Sequence, residues 1–391
     1  MPKAEPRDLF TPAPLPQARL DHAQRLACLR LIRSEQVGPV TFRELINHFG
    51  GADRALAALP ELARRGGRRK PIRLCPREEA EAELEAAARV RAEPLFTIEP
   101  GYPAALARVD VPPPLLYIKG RTELLARPTV AIVGSRNASA AGQKLTRQIS
   151  AAVGAEGFVI ASGLARGIDA SAHEAALATG TVAVLAGGID FVYPPEHAAL
   201  QDRIAAEGCL ISEQPPGFAP RGQDFPRRNR IISGISVGVL IVEAARRSGS
   251  LITARMAGEQ GREVMAVPGH PLDPRAEGTN QLLKEGATLV TQAADVLAAL
   301  APLVQQRVFS PGTAAADDTL VREEGAGHGG LPDEGAVARV LEALGPAPVD
   351  IDWLARATGL DIRSVRIALL ELALADRIER HGAQLVSRKA P

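Results

Sequence analysis

The chain of 391 residues has room for two or three domains, and 46% hydrophobic residues are ample for real cores, which excludes a disordered tail or a mini-protein. Forty-six Lys+Arg against forty-five Asp+Glu leave a net charge of +1, so any phosphate or nucleic-acid site has to come from local clustering. Cys28, Cys75 and Cys209 lie far apart without CxxC or paired Cys/His spacing, which predicts no metal site and a reduced, cytoplasmic protein. No apolar run of signal-peptide length opens the chain and none of about 18 residues occurs elsewhere, so neither secretion nor membrane spanning is expected.

Residues 1–20 carry five prolines and read as a flexible lead-in. Over 21–90 the spacing of Leu26, Leu29, Ile32, then Phe42, Leu45, Ile46, Phe49, then Leu56, Leu59, Leu62 predicts a small helical domain. Breaks fall at Val37-Gly38-Pro39 and Gly50-Gly51. The first of these turns gives the domain a SAM-like or helix-hairpin-helix character. Thr41 with Glu44 has the spacing of a capping box, which would start the second helix there.

Over 91–301 short β-branched runs alternate with helical patterns, which predicts a doubly wound, Rossmann-like α/β domain with a parallel sheet. The expected strands are Thr129–Val133, Phe158–Ala161, Thr181–Leu185, Cys209–Ile211, Val237–Val242, Glu263–Val267 and Ala287–Val290. Their near-continuous apolarity suits strands covered on both faces. The segment 94–120 adds an edge element. Residues 302–334 lose periodicity, with six acidic residues against one basic between Ser310 and Gly335, and read as a flexible acidic linker spanning roughly 30 Å. Residues 335–391 predict three helices and a hairpin, a winged helix-turn-helix.

Several expected strands end in small, Gly-rich turns: Gly134-Ser135-Arg136, Ser162-Gly163-Leu164-Ala165-Arg166, Gly187-Gly188-Ile189-Asp190 and Ser248-Gly249-Ser250. Ligands of open parallel sheets bind at the carboxyl ends of strands, where glycines let amides approach anions and helix N-termini favour negative charge. The turns therefore describe an anion-binding crevice. Between Arg221 and Arg230 lie four arginines and one acid, namely Arg221, Arg227, Arg228 and Arg230 with Asp224, together with Phe225 and Asn229. Arginine forks grip phosphates and an aromatic stacks on an unpaired base, which suggests single-stranded nucleic acid; the alternative is pairing with Glu213 or Glu243. Glu243 is a candidate acid or base, or an anchor for that cluster. The run Arg64, Arg65, Arg68, Arg69, Lys70, Arg73 reads either as a phosphate-backbone contact or as a solvated loop.

Enzyme signatures fail. There is no GxxxxGK[ST], and the GxGxxG match at Gly325 sits in the acidic stretch without a preceding strand. His173-Glu174 meets Leu177 where a second zinc-protease histidine would stand, so His173 and His197 read as packing or capping residues.

Taken in order, Gly134-Ser-Arg, Ser162-Gly-Leu-Ala-Arg-Gly-Ile-Asp-Ala-Ser-Ala-His173, Gly187-Gly-Ile-Asp-Phe-Val-Tyr-Pro-Pro-Glu-His197, Phe225-Pro-Arg-Arg-Asn-Arg-Ile-Ile-Ser-Gly and Ser248-Gly-Ser-Leu-Ile-Thr-Ala resemble the DNA-processing protein A (DprA/Smf) family, as do Val267-Pro-Gly and Gly278-Thr-Asn-Gln-Leu-Leu-Lys-Glu-Gly-Ala. The match runs from about residue 95 to 300, and an N-terminal SAM-like and a C-terminal winged-helix domain are usual in that family. The resemblance implies a cytoplasmic, non-catalytic, cofactor-free homodimer. It would bind and protect single-stranded DNA and load the RecA recombinase onto it in natural transformation, and in repair. Single-strand-binding protein and duplex DNA are further candidate partners.

Carried onto this chain, the DNA pocket comprises Gly134, Ser135, Arg136, Ser162, Gly163, Arg166, Arg221, Phe225, Arg227, Arg228, Asn229 and Arg230. Leu282, Leu283 and Leu289 mark a dimer surface. After Arg136 the turn reads Asn-Ala-Ser-Ala-Ala-Gly where many members carry Thr and Tyr. Two alternatives stand beside this reading. One is a nucleotide-phosphate hydrolase of the lysine-decarboxylase-like type, whose PGGxGTxxE signature is missing. The other is a regulator reading duplex DNA through the helix expected over Asp361–Ala375.

Overall fold

The computed structural model describes residues 19–309 and 334–389; the expected lead-in up to residue 18, most of the expected acidic linker and the Gly325 motif lie outside them. Helices α1 (His22–Arg33), α2 (Pro39–Phe49), α3 (Ala52–Arg65) and α4 (Arg77–Arg89) form the N-terminal domain. The capping box is not at Thr41 and Glu44. Proline at 39, with its preset φ, starts α2 behind Gly38, which leaves Thr41 buried inside the first turn. A true capping box opens α1, where Asp21 accepts from Gln24 N–H at 2.8 Å and the Gln24 side chain accepts from Asp21 N–H at 2.9 Å.

The central domain adds β1 (Glu93–Phe96), α5 (Ala104–Ala107), β2 (Leu115–Gly120), β3 (Thr129–Gly134), α6 (Ala140–Ala155), β4 (Val159–Ser162), α7 (Ile168–Ala176), β5 (Thr181–Leu185), α8 (Ala198–Glu207), β6 (Cys209–Ser212), α9 (Asp224–Gly234), β7 (Gly238–Val242), α10 (Gly249–Glu259), β8 (Glu263–Ala266), α11 (Glu277–Lys284), β9 (Thr288–Leu289) and α12 (Ala293–Phe309). Among the described residues its sheet has nine strands, ordered β1-β2-β6-β5-β4-β3-β7-β8-β9. Strands β3 to β9 run parallel, and the antiparallel hairpin β1–β2 extends the β6 side. Alternate residues of β3 go to opposite faces. Val130 and Ile132 pack with Ile149, Val153, Ile168 and Leu300 under α6, α7 and α12, whereas Ala131 and Val133 pack with Ile231, Ile232, Ala254 and Ala257 under α9 and α10. The expected linker start at 302 is overtaken by α12, which continues through Pro302 to Phe309, with Leu303 packed against the face formed by Val296 and Leu300.

The winged helix comprises α13 (Glu334–Ala343), β10 (Val349–Asp350), α14 (Ile351–Thr358), α15 (Ile362–Leu374), β11 (Ile378–His381) and β12 (Leu385–Arg388), with a β10-β12-β11 sheet. It has its own core, yet Leu370 and Leu374 of α15 belong to the core of the N-terminal domain together with Leu29, Leu59 and Leu62. That same core takes in Leu164, Leu185, Leu200 and Ile204 of the central domain. Part of the expected basic run is drawn in here: Arg65 pairs with fully buried Glu371 at 2.8 Å and Arg68 with Glu35 at 2.5 Å, while Arg64, Arg69, Lys70 and Arg73 stay exposed, the last paired with Glu79 at 2.6 Å. Gly66 lies so close under the Glu371 carbonyl that a Cβ there would collide with it. Arg380 forks onto Glu44 at 2.6 and 3.1 Å, and Ala383 N–H donates to Asp110 at 3.1 Å. No helix among the described residues is long and apolar enough to cross a membrane.

His173, fully buried on α7, sits 2.7 Å from Thr181 Oγ1, whose hydroxyl in turn donates to Ile160 O at 2.8 Å. Thr181 oxygen therefore accepts from His173 Nδ1–H. Burial, and then the nearby Arg228 and His197, push its pKa from 6.5 down to about 3. Between those values a proton binds the unfolded chain and not the native one, so stability holds above pH 6.5 and declines as pH falls, by about 1.4 kcal/mol per pH unit at the steepest. Urea midpoints for the wild type and His173→Gln over pH 4–7 should show a slope in the wild type that the variant reduces; parallel curves would remove His173 as the cause.

Candidate nucleic-acid interface

Strand order reverses between β3 and β7, because the chain leaves β3 toward β4 and β5 and returns on the other side through β7 and β8. This is the switch point where open α/β sheets hold ligands, outside the carboxyl ends of the strands. Gly134 closes β3 against the Val242 carbonyl, with no space for a Cβ. Gly167, at φ +74°, packs onto the Ser135 and Arg136 backbone, and Ile168 N–H donates to Ser135 O at 3.2 Å. The β3–α6 and β4–α7 turns thereby brace each other and hold Arg136 at the surface.

The spot that would take a phosphate in a nucleotide-binding relative of this fold is the N-terminus of α6. Here it is filled from within. Glu243, at φ +53° after β7, accepts from Ser139 N–H at 2.9 Å and from the Ser139 hydroxyl, while Ser139 Oγ accepts from Gly142 N–H at 2.9 Å. A side chain at Gly142 would lie 2.7 Å from that carboxylate. Glu243 is neither a free acid–base group nor an anchor for the arginine cluster; its carboxylate caps a helix.

The arginine cluster divides. Its 221–234 segment folds as a short turn followed by α9, with Arg221 N–H donating to the buried Asp224 carboxylate at 2.7 Å. Arg228, only 7% exposed, donates to Gly163 O at 2.7 Å and to Val184 O, capping the ends of β4 and β5 from inside. Asp169 stands beside it and accepts from Gly163 N–H at 3.1 Å and Ala165 N–H at 3.3 Å. Burial lowers the Arg228 pKa to about 10, which leaves the side chain cationic at neutral pH. Ser162 is fully buried and donates to Ile132 O at 2.6 Å; Gly163 is buried, and a Cβ there would lie 2.7 Å from the Arg228 guanidinium. Arg230 forks onto Glu213 at 2.7 Å and donates to Val111 O at 3.1 Å. Asn229 donates to Gly249 O at 3.3 Å, tying α9 to the start of α10. Ser162, Gly163, Arg228 and Arg230 thus build the crevice from inside and do not line its open face.

What remains open is a compact rim. Arg136 lies over the Phe225 ring, 5.7 Å from its centre, and Tyr193 packs on the same ring with centres 5.0 Å apart. Arg136 is exposed and Tyr193 is 46% exposed. Arg166, Arg221 and Arg227 are exposed on neighbouring turns of this sheet edge; Arg166 pairs with Glu196, and Arg227 stands 3.9 Å from Glu213. Tyr193 was not among the residues expected from sequence. Its signal was available: in a chain with 3% aromatics it stands just beyond the carboxyl end of a strand. Gly188 N–H to Phe218 O and Gly217 N–H to Asp190, both 2.8 Å, tie its loop to the segment that leads into Phe225.

Residues 93–301 match the model of the family described as DNA recombination-mediator protein A. The chain belongs to that family. Residues 22–86 match a DprA-like N-terminal HHH domain, and 330–384 a DprA winged helix domain. The chain is 36% identical over 313 residues to Protein Smf of Synechocystis, which spans 74% of this chain and 79% of that protein. It is 46% identical over 208 residues to the DNA processing protein DprA of Streptococcus pneumoniae, 52% of this chain and 73% of that protein. The X-ray structure of DprA from S. pneumoniae superposes with a TM-score of 0.59 at 37% identity, covering 69% of this chain and 95% of that one. The doubly wound fold and its helical and winged-helix flanks accord with this membership.

The division of the arginines has a direct consequence. Arg228→Ala leaves Gly163 O, Val184 O and the Asp169 carboxylate without their buried partner and should cost about 3–5 kcal/mol of stability. Arg136→Ala, at an exposed position, should change stability by less than about 0.5 kcal/mol. Chemical denaturation of both variants checks the contrast; equal losses would contradict it.

Proposed function

We propose that this recombination-mediator family member is a non-catalytic, cytoplasmic protein that binds single-stranded DNA at the Arg136–Phe225–Tyr193 rim. The observation that carries the reading is the exposed stack itself. Two aromatic rings in contact, with a guanidinium over one of them, offer a π-face to any unpaired base and a fork to its phosphate. A base inside a duplex is already stacked, so the rim favours single strands. Arg166, Arg221 and Arg227 extend the cationic track. The pairs Arg166–Glu196 and Arg227–Glu213 are solvent-facing on the arginine side, and surface pairs of this kind are worth about 0–1 kcal/mol, so a phosphate can displace the carboxylate. The self-capped α6 N-terminus supports a strand-binding role over hydrolysis of a small nucleotide phosphate, since the usual phosphate seat is taken by Glu243.

On this reading the bound strand is protected and handed to RecA, in transformation or in repair, with single-strand-binding protein and duplex DNA as further partners. The expected dimer surface is reduced to its exposed part. Leu289, 53% exposed on the edge strand β9, is the strongest contact candidate; Leu283 is half-buried, and Leu282 packs onto the sheet. Two copies meeting there would join two rims into one longer path.

Titration of a fluorescent oligothymidine should show salt-sensitive binding. Arg136→Ala should weaken it about ten-fold and lower the slope of log K against log salt by about one, and Phe225→Ala should cost about 1–3 kcal/mol. Unchanged affinity of Arg136→Ala throughout the salt series would sink the assignment.

A further inference from the structure

Each parallel strand of the central sheet ends in a loop at the edge that carries the rim. In order along that edge the loops bear Tyr193 after β5, Arg166 after β4, Arg136 after β3, Arg246 and Arg247 after β7, and Leu272 after β8. The last of these side chains stands apart. Leu272 is 85% exposed, whereas the other exposed large apolar residues among those described reach only 39–53%. A lone surface leucine is ordinary, but one on a pliable loop folds back onto nearby apolar surface. This one is held away from it.

The loop between β8 and α11 is built for that position. Pro268, Pro271 and Pro274 fix three backbone φ angles within seven residues. At its base the Asn280 side chain grips Gly269 twice, accepting from its N–H at 3.1 Å and donating to its carbonyl at 3.0 Å. At its tip Asp273 N–H donates to His270 O at 2.9 Å, closing a turn whose central residues are Pro271 and Leu272, and Leu272 N–H donates to His270 Nδ1 at 3.2 Å. Asp273 then accepts from Arg275 N–H at 2.9 Å and from its guanidinium at 2.9 and 3.1 Å. Gly278 N–H donates to Ala244 O at 2.7 Å, which fastens the loop to the turn after β7, and Glu243 of that turn holds Ser139, three residues beyond Arg136. The leucine and Arg136 are thereby fixed to one another across two strand spacings, roughly 10 Å, with Arg246 and Arg247 exposed on the turn between them.

We propose that Leu272 is a wedge for single-stranded DNA: its side chain enters between two neighbouring bases of the strand whose phosphates pass Arg136, Arg246 and Arg247, and interrupts their stacking there. The inference rests on the single-strand reading of the rim. Charge selects the occupant, since a DNA strand is a polyanion that carries apolar faces. The edge offers both halves of the match, cations on the β3 and β7 turns and an apolar tip on the β8 loop. Apolar side chains inserted between base steps unstack them, and a tip already ordered in the free protein loses little of the insertion energy to ordering.

The full chain is titrated with short oligodeoxyadenosines in which 2-aminopurine, a base whose fluorescence is quenched by stacking, occupies one internal position after another. The bound strand should brighten at one or two positions. Leu272→Ala should remove most of that brightening and weaken binding about three- to ten-fold, while Leu272→Met keeps both. Coincident thermal melts verify the fold of these variants at so exposed a position. The proposal is overturned if no position brightens in the wild type, if the brightening survives in Leu272→Ala, or if that variant changes the molar mass in light scattering while the bound strand still brightens, which would make the leucine a contact between copies of the chain. Binding that depends on Arg136 with brightening indifferent to Leu272 removes the wedge and leaves the rim reading standing; binding indifferent to Arg136 removes the rim reading and the wedge with it.

Discussion

The crevice depends on one buried cation. Parallel strands end in carbonyls that need partners, and at β4 and β5 the partner is the Arg228 guanidinium, inserted from α9 onto Gly163 O and Val184 O. A charge so deep is tolerable only when fully hydrogen-bonded and countered, and Asp169 provides the counter-charge while fixing the Gly163–Ala165 turn through two backbone amides. The same contacts require glycine at 163, where any side chain would strike the guanidinium. They also fix the register of α9. Phe225 lies three residues before Arg228 on the same helix, so anchoring one end of that turn inside the sheet edge sets the other at the rim beside Arg136.

A second constraint closes the place where open α/β sheets hold nucleotides. The helix N-terminus at the switch point attracts an anion, and the chain supplies one covalently. Glu243 reaches Ser139 from a left-handed backbone conformation at φ +53°, uncommon for a residue with a side chain and sustained here by the bonds it makes. With that seat filled, the open groups at this sheet edge are the arginines and aromatic rings of the surrounding turns.

The strands of the central domain and the Gly-rich turns were legible in the sequence because each signal is local: a continuous apolar run bounded by small residues reads the same in any tertiary context. Thr181–Leu185 fell where expected to the residue, and the other strands within a residue or two. What failed were inferences about charge. Arg228 and Arg230 look the same in sequence as Arg136 and Arg227, but partners at Gly163, Val184 and Glu213 draw the first two inward. The run from Arg64 to Arg73 left a phosphate contact and a solvated loop open, and its spacing gave no sign that Arg65 is drawn inward by Glu371, which lies 306 residues away. Thr41 and Glu44 matched a capping pattern that Pro39 pre-empted two residues earlier. The acidic linker was expected to start at 302, yet the apolar stripe through Val296, Leu300 and Leu303 carries α12 beyond it.

The same long-range pairs bear on how the domains act together. Burying Leu370 and Leu374 contributes roughly 1.5–3 kcal/mol each, and the Arg65–Glu371 and Arg380–Glu44 pairs add orientation, so these contacts set where the winged helix sits. The docked hairpin reaches Asp110, whose neighbour Val111 accepts from Arg230 of α9. The winged helix and the aromatic rim are thus connected through packed elements: the hairpin holds Asp110, the next residue holds Arg230, and Arg230 stands on the helix that carries Phe225.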